Sequence, residues 1–224
     1  MIFSITEINI IYLSLKIAFF ATIITTILGL FFALYLEKSK SWISFLLDIF
    51  VSLPLLVPPI IIGYALLWIF SPISPLGLIL EKIFGVSIMF TWIAASLAAA
   101  IVSLPLVVNM FRVSIQGIDS ELIKSSQTLG LSKIQIFLFI TIPLAKKGLF
   151  AGILIGFFRS LAEFGATIIV AGNIPGVSQT LPLAIFTRIS SGNDGGAIKL
   201  ILISVALGVI SITINKLILF KKYN

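Results

Sequence analysis

The segment KSSQTLGLSKIQIFLFITIP, residues 124–143, lies between two long apolar runs and carries the local signals of two short helices. Asp119 or Ser120, just upstream, can cap the first helix through its side-chain oxygen. Gly130 stands where a helix commonly ends in the left-handed conformation. We therefore predict that the first helix ends at a glycine turn.

Signals for the second helix follow directly. Ser132 and Gln135 have the three-residue spacing of a capping box, and Pro143 suits the first turn of a further helix. Apolar side chains are more frequent around the turn than a solvated loop needs: Leu122, Ile123, Leu129 and Leu131. An exposed apolar surface of this kind indicates a docking element for another protein.

Outside this segment the chain has the composition of a membrane protein. Of its 224 residues 59% are hydrophobic and only 10% are charged, and the mean hydropathy is +1.23. The apolar runs are continuous rather than alternating, which favours helices over a membrane β-barrel. Neither cysteine nor histidine occurs, so thiol chemistry and histidine-based metal sites are excluded. We predict no catalytic residues and no metal site.

Five runs are long enough to cross a bilayer as helices, because each has about 24 residues or more. They cover residues 8–36, 44–70, 88–111, 148–171 and 197–220. We predict an all-α membrane protein whose residues 1–224 form a single transmembrane domain. Residues 113–143 form the long loop between the third and fourth spans. The shorter connections 71–87 and 172–196 are expected to hold one interfacial and one re-entrant or interfacial helix.

Lysine and arginine fall mainly on one side of these spans. Ten lie beside odd-numbered connections or at the C-terminal end, namely Lys38, Lys40, Arg112, Lys124, Lys133, Lys146, Lys147, Lys216, Lys221 and Lys222. Only Lys82, Arg188 and Lys199 lie on the other side. This asymmetry predicts that the N-terminus is outside and that residues 113–143 and the C-terminus are cytoplasmic. It also accounts for the net charge of +7 without nucleic-acid binding.

The long loop carries a motif with a known counterpart. Its spaced residues are Lys124, Ser125, Ser126, Gly130, Ile140, Ile142 and Pro143. This arrangement resembles the E-A-A-x-x-x-G-x9-I-x-L-P loop of the membrane subunits of ATP-binding cassette (ABC) importers. The sequence departs from that loop where Lys124 replaces the acid, serines replace the alanines, and Ile142 replaces leucine. The resemblance implies that residues 113–143 are a coupling loop that docks on an ATP-binding subunit.

Further stretches resemble the molybdate, tungstate and sulfate permeases, especially the molybdate branch. They are SLPLLVPPIIIGYALL (52–67), RSLAEFGATIIVAGNIPG (159–176) and QTLPLAIFTRI (179–189). The resemblance implies the transmembrane fold of a type I importer in a prokaryotic cell membrane. Its partners are two ATP-binding subunits, an external oxyanion-binding protein, a second copy of the chain and the lipid bilayer. ATP and Mg²⁺ belong to the partner subunit, because this chain has no G-x-x-x-x-G-K-[ST] motif.

The sequence leaves two alternatives to molybdate import open. Sulfate and tungstate share the charge and tetrahedral shape of molybdate, so the same role could serve either. A secondary transporter or channel that acts alone would explain polar residues within the spans. It would not explain the helix–glycine–helix loop, and we find no internal repeat of the kind such transporters usually have.

Charged residues inside the fourth span are the strongest candidates for the translocation path. Arg159 is near the middle of the span and Glu163 follows four residues later, so the two should face the interior of the bundle. They either line the anion path or form an ion pair that fixes helix packing. Because arginine precedes glutamate, the less favourable order on a helix, pairing with another span is also open.

Prolines and polar residues add further candidates for the path or its gate. Pro58 and Pro59 can bend the second span, and Ser103 and Asn109 place polar groups in the third. Asn109 can equally anchor two helices through a hydrogen bond. Lys16, in the outer half of the first span, is expected to extend towards the membrane surface.

The outer turn Asn173, Pro175 and Gly176 begins the most polar external stretch of the chain. Its sequence is typical of a β-turn. The resemblance implies that it also contacts the external binding protein.

Overall fold

The computed structural model describes residues 4–39, 41–85 and 87–220, and regular structure within these ranges is entirely helical. The helices are α1 (Ile5–Lys38), α2 (Trp42–Leu56), α3 (Pro59–Ile69), α4 (Pro75–Phe84), α5 (Trp92–Gln116), α6 (Ser120–Thr128), α7 (Lys133–Ile136), α8 (Ile142–Leu161), α9 (Gly165–Val170), α10 (Leu181–Ser190) and α11 (Asp194–Phe220). Lys40, Lys221 and Lys222 of the charge pattern lie outside the described residues.

Four continuous helical segments are long and apolar enough to cross a membrane. They are Ile5–Lys38, Trp92–Gln116, Lys133–Leu161 and Asp194–Leu217, and the bent pair α2 and α3 would count as a fifth. The predicted all-helical class is therefore confirmed for the described residues, with four or five candidate spans.

The centre of the bundle consists of α1, α5 and α8, which approach closely because small residues line their contacts. A Cβ atom added to Gly29 of α1 would lie 2.9 Å from Val107 of α5. One added to Gly152 or Gly156 of α8 would lie 2.8 Å from Phe111 or 2.6 Å from Val107. The small-residue face of α8 thus packs within the chain, against α5.

The second predicted span is divided in two. α2 ends at Leu56, α3 begins at Pro59, and the two axes differ by 117°. Two consecutive prolines explain the division, because neither can donate a backbone hydrogen bond and Pro59 restricts the conformation of Pro58. The interruption is much sharper than the kink expected from the sequence.

The fourth predicted span differs from the expectation at both ends. The helical segment begins at Lys133 instead of residue 148 and ends at Leu161. Residues 162–164 are not helical, and the apolar sequence beyond them forms the separate helix α9. The prediction of one uninterrupted helix over 148–171 is therefore wrong.

Helix α10 packs against α1 and α11 at the end of the bundle where α5 begins. Its residues Leu181 and Ala184 are buried with Ile10 of α1 and Leu200 of α11. The Leu181 amide donates to the Ser14 hydroxyl at 2.7 Å. With only 10 residues, α10 is too short to span, as expected.

Candidate functional site

The α6–α7 segment, residues 119–136, projects from the end of the bundle where α5 ends. Asp119 caps α6 by accepting a hydrogen bond from the Glu121 amide at 2.8 Å. Gly130 has a φ of 83°. The amides of Gly130 and Leu131 donate to the carbonyls of Gln127 and Ser126 at 3.0 and 3.2 Å. This pair of bonds is a Schellman motif, which fixes the end of α6.

Helix α7 starts with the predicted capping box. Ser132 and Gln135 exchange hydrogen bonds between side chain and backbone at 3.3 and 2.8 Å. Apolar side chains between and after the caps point away from the bundle: Leu129 is 82% exposed and Ile134 is 71% exposed. The segment is therefore rigidly capped yet presents apolar surface, which suits a docking element.

The motif residues divide between this segment and the helix that follows it. Lys124 and Ser125 are exposed on α6, whereas Ser126 is buried and its hydroxyl donates to the Leu122 carbonyl at 2.6 Å. Gly130 forms the turn between α6 and α7, and the last three members lie beyond α7, with Ile140 and Ile142 half-buried and Pro143 exposed. The motif residues are thus spread along the chain from α6 to the start of α8 and do not form a single cluster of side chains.

A π-helical turn, Phe137–Thr141, joins α7 to α8. Pro143 occupies the first turn of α8, and its ring would clash with a carbonyl of the preceding turn in a regular helix. The wider π turn accommodates that ring without ending the helix. Lys133–Leu161 is consequently one helical segment of 29 residues, which links the exposed α6–α7 segment to the middle of the bundle.

The far end of α8 lies at mid-depth in the bundle. The hydroxyls of Ser160 and Ser103 are 3.0 Å apart, and Ser103 is near the centre of α5. Ser103 is fully buried, so it joins α5 to α8 and does not face an open path in this chain.

Arg159 and Glu163 pair with each other directly at this level. Arg159 Nη1 lies 2.7 Å from Glu163 Oε2. The arginine side chain is 31% exposed, whereas that of Glu163 is only 2% exposed. Only one guanidinium nitrogen takes part in the bond, so the group keeps further N–H donors that Glu163 does not use.

Glu163 also explains why the helix is interrupted. Its Oε1 accepts a hydrogen bond from the Ala166 amide at 2.9 Å. The carboxylate therefore caps α9 and binds the arginine of α8 at the same time. A buried carboxylate is stabilised by such bonds, and residues 162–164 leave the helical path to form them.

The two interruptions touch. A Cβ atom added to Gly165 would lie 3.2 Å from Pro59 Cβ and 3.4 Å from the backbone nitrogen of Ile60. One added to Gly63 would lie only 2.6 Å from the Ala166 carbonyl oxygen. Helix α3 thus crosses α9 with direct backbone contact, and a movement of one interrupted helix must involve the other.

Burial differs among the remaining candidates for the path, which are Pro58, Pro59 and Asn109. Pro58 is exposed and Pro59 is half-buried at the start of α3. Asn109 is exposed on α5. Both predicted roles of Asn109, in the path and as an anchor between helices, stay predictions, because a partner for its exposed side chain would lie outside this chain.

The outer turn is held by the Asn173 side chain. Its amide donates to the Thr187 hydroxyl at 2.7 Å and accepts from Gln179 at 2.9 Å. Pro175 and Gly176 are exposed at the tip. Asn173 therefore fixes the loop on α10, and its two neighbours offer the accessible surface.

A second ion pair was not predicted from the sequence. Arg112 Nη1 donates to both carboxylate oxygens of Asp48, at 2.9 and 3.0 Å, and so joins α5 to α2. The sequence contains a signal for this pair, because Asp48 is the lone acid within one apolar run and Arg112 directly follows another apolar run. Asp48 is near the start of its predicted span and Arg112 follows the end of its own, so the prediction places both on the same side of the membrane.

Comparison with known proteins places this architecture in a family. Residues 7–221 match the family model described as a binding-protein-dependent transport system inner membrane component. The molybdenum transport system permease protein ModB of Escherichia coli (strain K12) is 40% identical over 205 residues, 91% of this chain and 90% of that protein. ModB of Haemophilus influenzae is 38% identical over 211 residues, 94% and 92% of the two chains.

The fold has a counterpart among solved structures. The inward-facing MetNI methionine ABC transporter matches with a TM-score of 0.66 and 17% sequence identity, over 94% of this chain and 95% of that one. At this identity the likeness concerns the fold alone, and it supports the helical arrangement described above. The match over nearly the whole sequence decides the family: the chain belongs to the inner membrane components of binding-protein-dependent transport systems.

Proposed function

We propose that this chain is the permease subunit of an ABC importer that moves molybdate across a prokaryotic cell membrane. The observation that carries the proposal is the identity of 40% to a molybdenum permease over 91% of the chain. In this assignment the N-terminus is outside and the α6–α7 segment and the C-terminus are cytoplasmic. Two copies of the chain enclose the path, two ATP-binding subunits supply the energy, and an external binding protein delivers the anion.

The α6–α7 segment is the part that receives the movement of the ATP-binding subunit. Its caps make it rigid, and its exposed apolar residues, including Leu129 and Ile134, supply a contact that loses water on docking. Lys124 stands on its exposed face where related loops carry an acid. The contact is therefore mainly apolar, with a charge pattern specific to this chain.

Helix Lys133–Leu161 transmits that movement. Its 29 residues correspond to about 43 Å at 1.5 Å per residue, comparable with the thickness of a membrane. A displacement at α6–α7 reaches Arg159 at the other end of the segment. It passes on to α2 and α3 through the contact of Gly165 with Pro59. The two touching interruptions form the gate in this scheme.

Arg159 contacts the passing oxyanion, and Glu163 limits the strength of that contact. Exposed N–H groups of Arg159 suit a tetrahedral anion. An isolated arginine at mid-depth would hold a dianion too firmly, whereas transport needs a contact weak enough to release it. Glu163, 2.7 Å away, compensates the positive charge. The same bond fixes α8 to α9, so the pair serves both the path and the packing.

The outer turn receives the binding protein. Asn173 ties the loop to α10 through its bond to Thr187 and closes the loop through its bond to Gln179. Pro175 and Gly176 provide the exposed tip. A fixed backbone with an accessible tip is suited to docking without a large loss of conformational entropy.

Reconstitution tests the assignment. The chain would be placed in proteoliposomes with its ATP-binding subunit and its binding protein, and ATP turnover would be measured against molybdate, tungstate and sulfate. We expect molybdate to stimulate turnover at the lowest concentration. Stronger stimulation by sulfate or tungstate would transfer the role to that anion, and no stimulation by any of the three would overturn oxyanion import.

One further arm separates an importer from a transporter that acts alone. Proteoliposomes that lack the ATP-binding subunit should take up no molybdate. Uptake under these conditions, driven by a gradient, would contradict the ABC assignment.

A further inference from the structure

Lys16 takes a position that the translocation mechanism does not use. Its ammonium nitrogen lies 3.7 Å from the centre of the Trp92 ring. Trp92 is the first residue of α5, so the lysine side chain on α1 reaches towards the end of the bundle. A cation over the face of an indole ring is held by the ring quadrupole.

The ammonium group borders a cleft of about 400 Å³. Asn9 and Tyr12 of α1 line one side, and Gly176 and Val177 of the outer turn line another. The Asn9 amide and the Tyr12 phenol beside this cation supply hydrogen-bond donors next to aromatic rings. This combination is typical of the aromatic belt at a membrane surface, where rings lie at the level of lipid headgroups.

Among the residues that the structure describes, no acid forms an ion pair with Lys16. The ion pairs among the described residues are those of Arg112, Arg159 and Arg188, and the contact of Lys16 is with a ring that carries no net charge. A cation in a partly enclosed cleft attracts an anion more strongly than one in open water, because the surroundings screen it less.

We propose that this cleft binds a tetrahedral oxyanion of the phosphate type, with Lys16 as its charged contact and Asn9 and Tyr12 as hydrogen-bond donors. Two sources share this chemistry, the headgroup of a phospholipid and a free oxyanion. A bound headgroup would join α1 to α5 from the membrane side. A free oxyanion would occupy a binding site beside the outer turn before it enters the translocation path.

Titration of the full complex in detergent tests the site and distinguishes the sources. The probes are dihexanoyl-phosphatidylglycerol, a soluble short-chain lipid, and inorganic phosphate, each followed by the thermal unfolding midpoint. We expect a saturable rise in the midpoint with at least one probe. Saturation by the lipid alone identifies a headgroup site, whereas saturation by inorganic phosphate identifies a site for a free oxyanion.

Three variants assign the effect to Lys16. Lys16→Gln should raise the half-saturating concentration about ten-fold or more, since it removes a charge-assisted contact. Lys16→Arg keeps the charge and should retain binding. Lys82→Gln removes a lysine from the exposed surface of α4 and should bind as the wild type does. A midpoint that does not respond to either probe, or a response that Lys16→Gln leaves unchanged, would overturn the proposal.

Discussion

Neutralising Arg159 and Glu163 singly and together separates a role in the anion path from a role in packing. The structure predicts unequal single effects, because the Glu163 side chain is 2% exposed and that of Arg159 is 31% exposed. Arg159→Gln leaves a buried carboxylate without its cation, a change that costs about 3–5 kcal/mol. Glu163→Gln leaves a cation that water reaches in part and removes one charge-assisted bond, which costs about 1.5–3 kcal/mol.

The double variant Arg159→Gln/Glu163→Gln carries no charge at this site and retains an amide oxygen that can accept from Ala166. We expect its stability to be higher than the sum of the single effects predicts. The difference should be of the order of 0.5–3 kcal/mol, the range found for residues in direct contact. Equilibrium unfolding in mixed micelles measures all four free energies of unfolding.

Transport by the double variant gives the decisive result. Molybdate-dependent ATP turnover and uptake in proteoliposomes would be compared per folded complex. If Arg159 contacts the anion, the double variant folds but transports poorly. Wild-type transport by the double variant would restrict the pair to packing, and wild-type stability of both single variants would refute the argument from burial.

A matched control comes from the ion pair of Arg188 and Glu7, whose N–O distance is 3.0 Å and whose side chains are 18% and 6% exposed. This pair joins α1 to α10, away from the interruptions of α3 and α9. Neutralising it should lower stability in a similar way. Transport per folded complex should remain close to that of the wild type.

Two glycines allow further tests, each with a control glycine elsewhere in the chain. Gly130→Val forces a β-branched residue to a φ of 83°, which costs about 1–2 kcal/mol, and should uncouple ATP turnover from uptake. Gly85→Val imposes similar strain at φ 71°, just after the end of α4, and should leave coupling intact. Gly63→Ala places a methyl group 2.6 Å from the Ala166 carbonyl oxygen and should lower the free energy of unfolding by about 1–3 kcal/mol. Gly208→Ala, within α11, meets open space and should raise the free energy of unfolding by about 0.5–1 kcal/mol, because alanine favours the helix over glycine. Equal results for test and control would contradict either argument.

Local signals in the sequence predicted the α6–α7 segment well. Capping boxes, a left-handed glycine and a proline in a first turn all act within a few residues, so Ser132, Gly130 and Pro143 could be assigned without tertiary information. The side on which the segment lies relative to the membrane stays a prediction, as do the roles of its motif residues.

The candidate gate could not be predicted in the same way, because it depends on where helices stop. The rule that disfavours arginine before glutamate applies to a continuous helix. Glu163 lies beyond the end of α8, so its carboxylate can turn back to Arg159 at 2.7 Å. Hydropathy shows only that residues 148–171 are apolar, and it does not distinguish one helix from two.

The contact between α3 and α9 and the position of Asn109 depend on packing between distant segments. A glycine in an apolar run, such as Gly63, does not identify the backbone it will touch. Asn109 has the polarity of a helix anchor but points out of this chain. Both outcomes follow from how the helices are rotated, which a single sequence leaves undetermined.

The π-helical turn Phe137–Thr141 also sets the angular phase between the two ends of the long helical segment. A π turn holds one residue more than an α-helical turn, and each residue advances a helix by about 100°. Removing one residue from 137–141 would therefore swing Leu129 and its neighbours around the α8 axis by about that angle. The α6–α7 segment would keep its own caps, but its exposed face would meet the wrong side of the protein on which it docks.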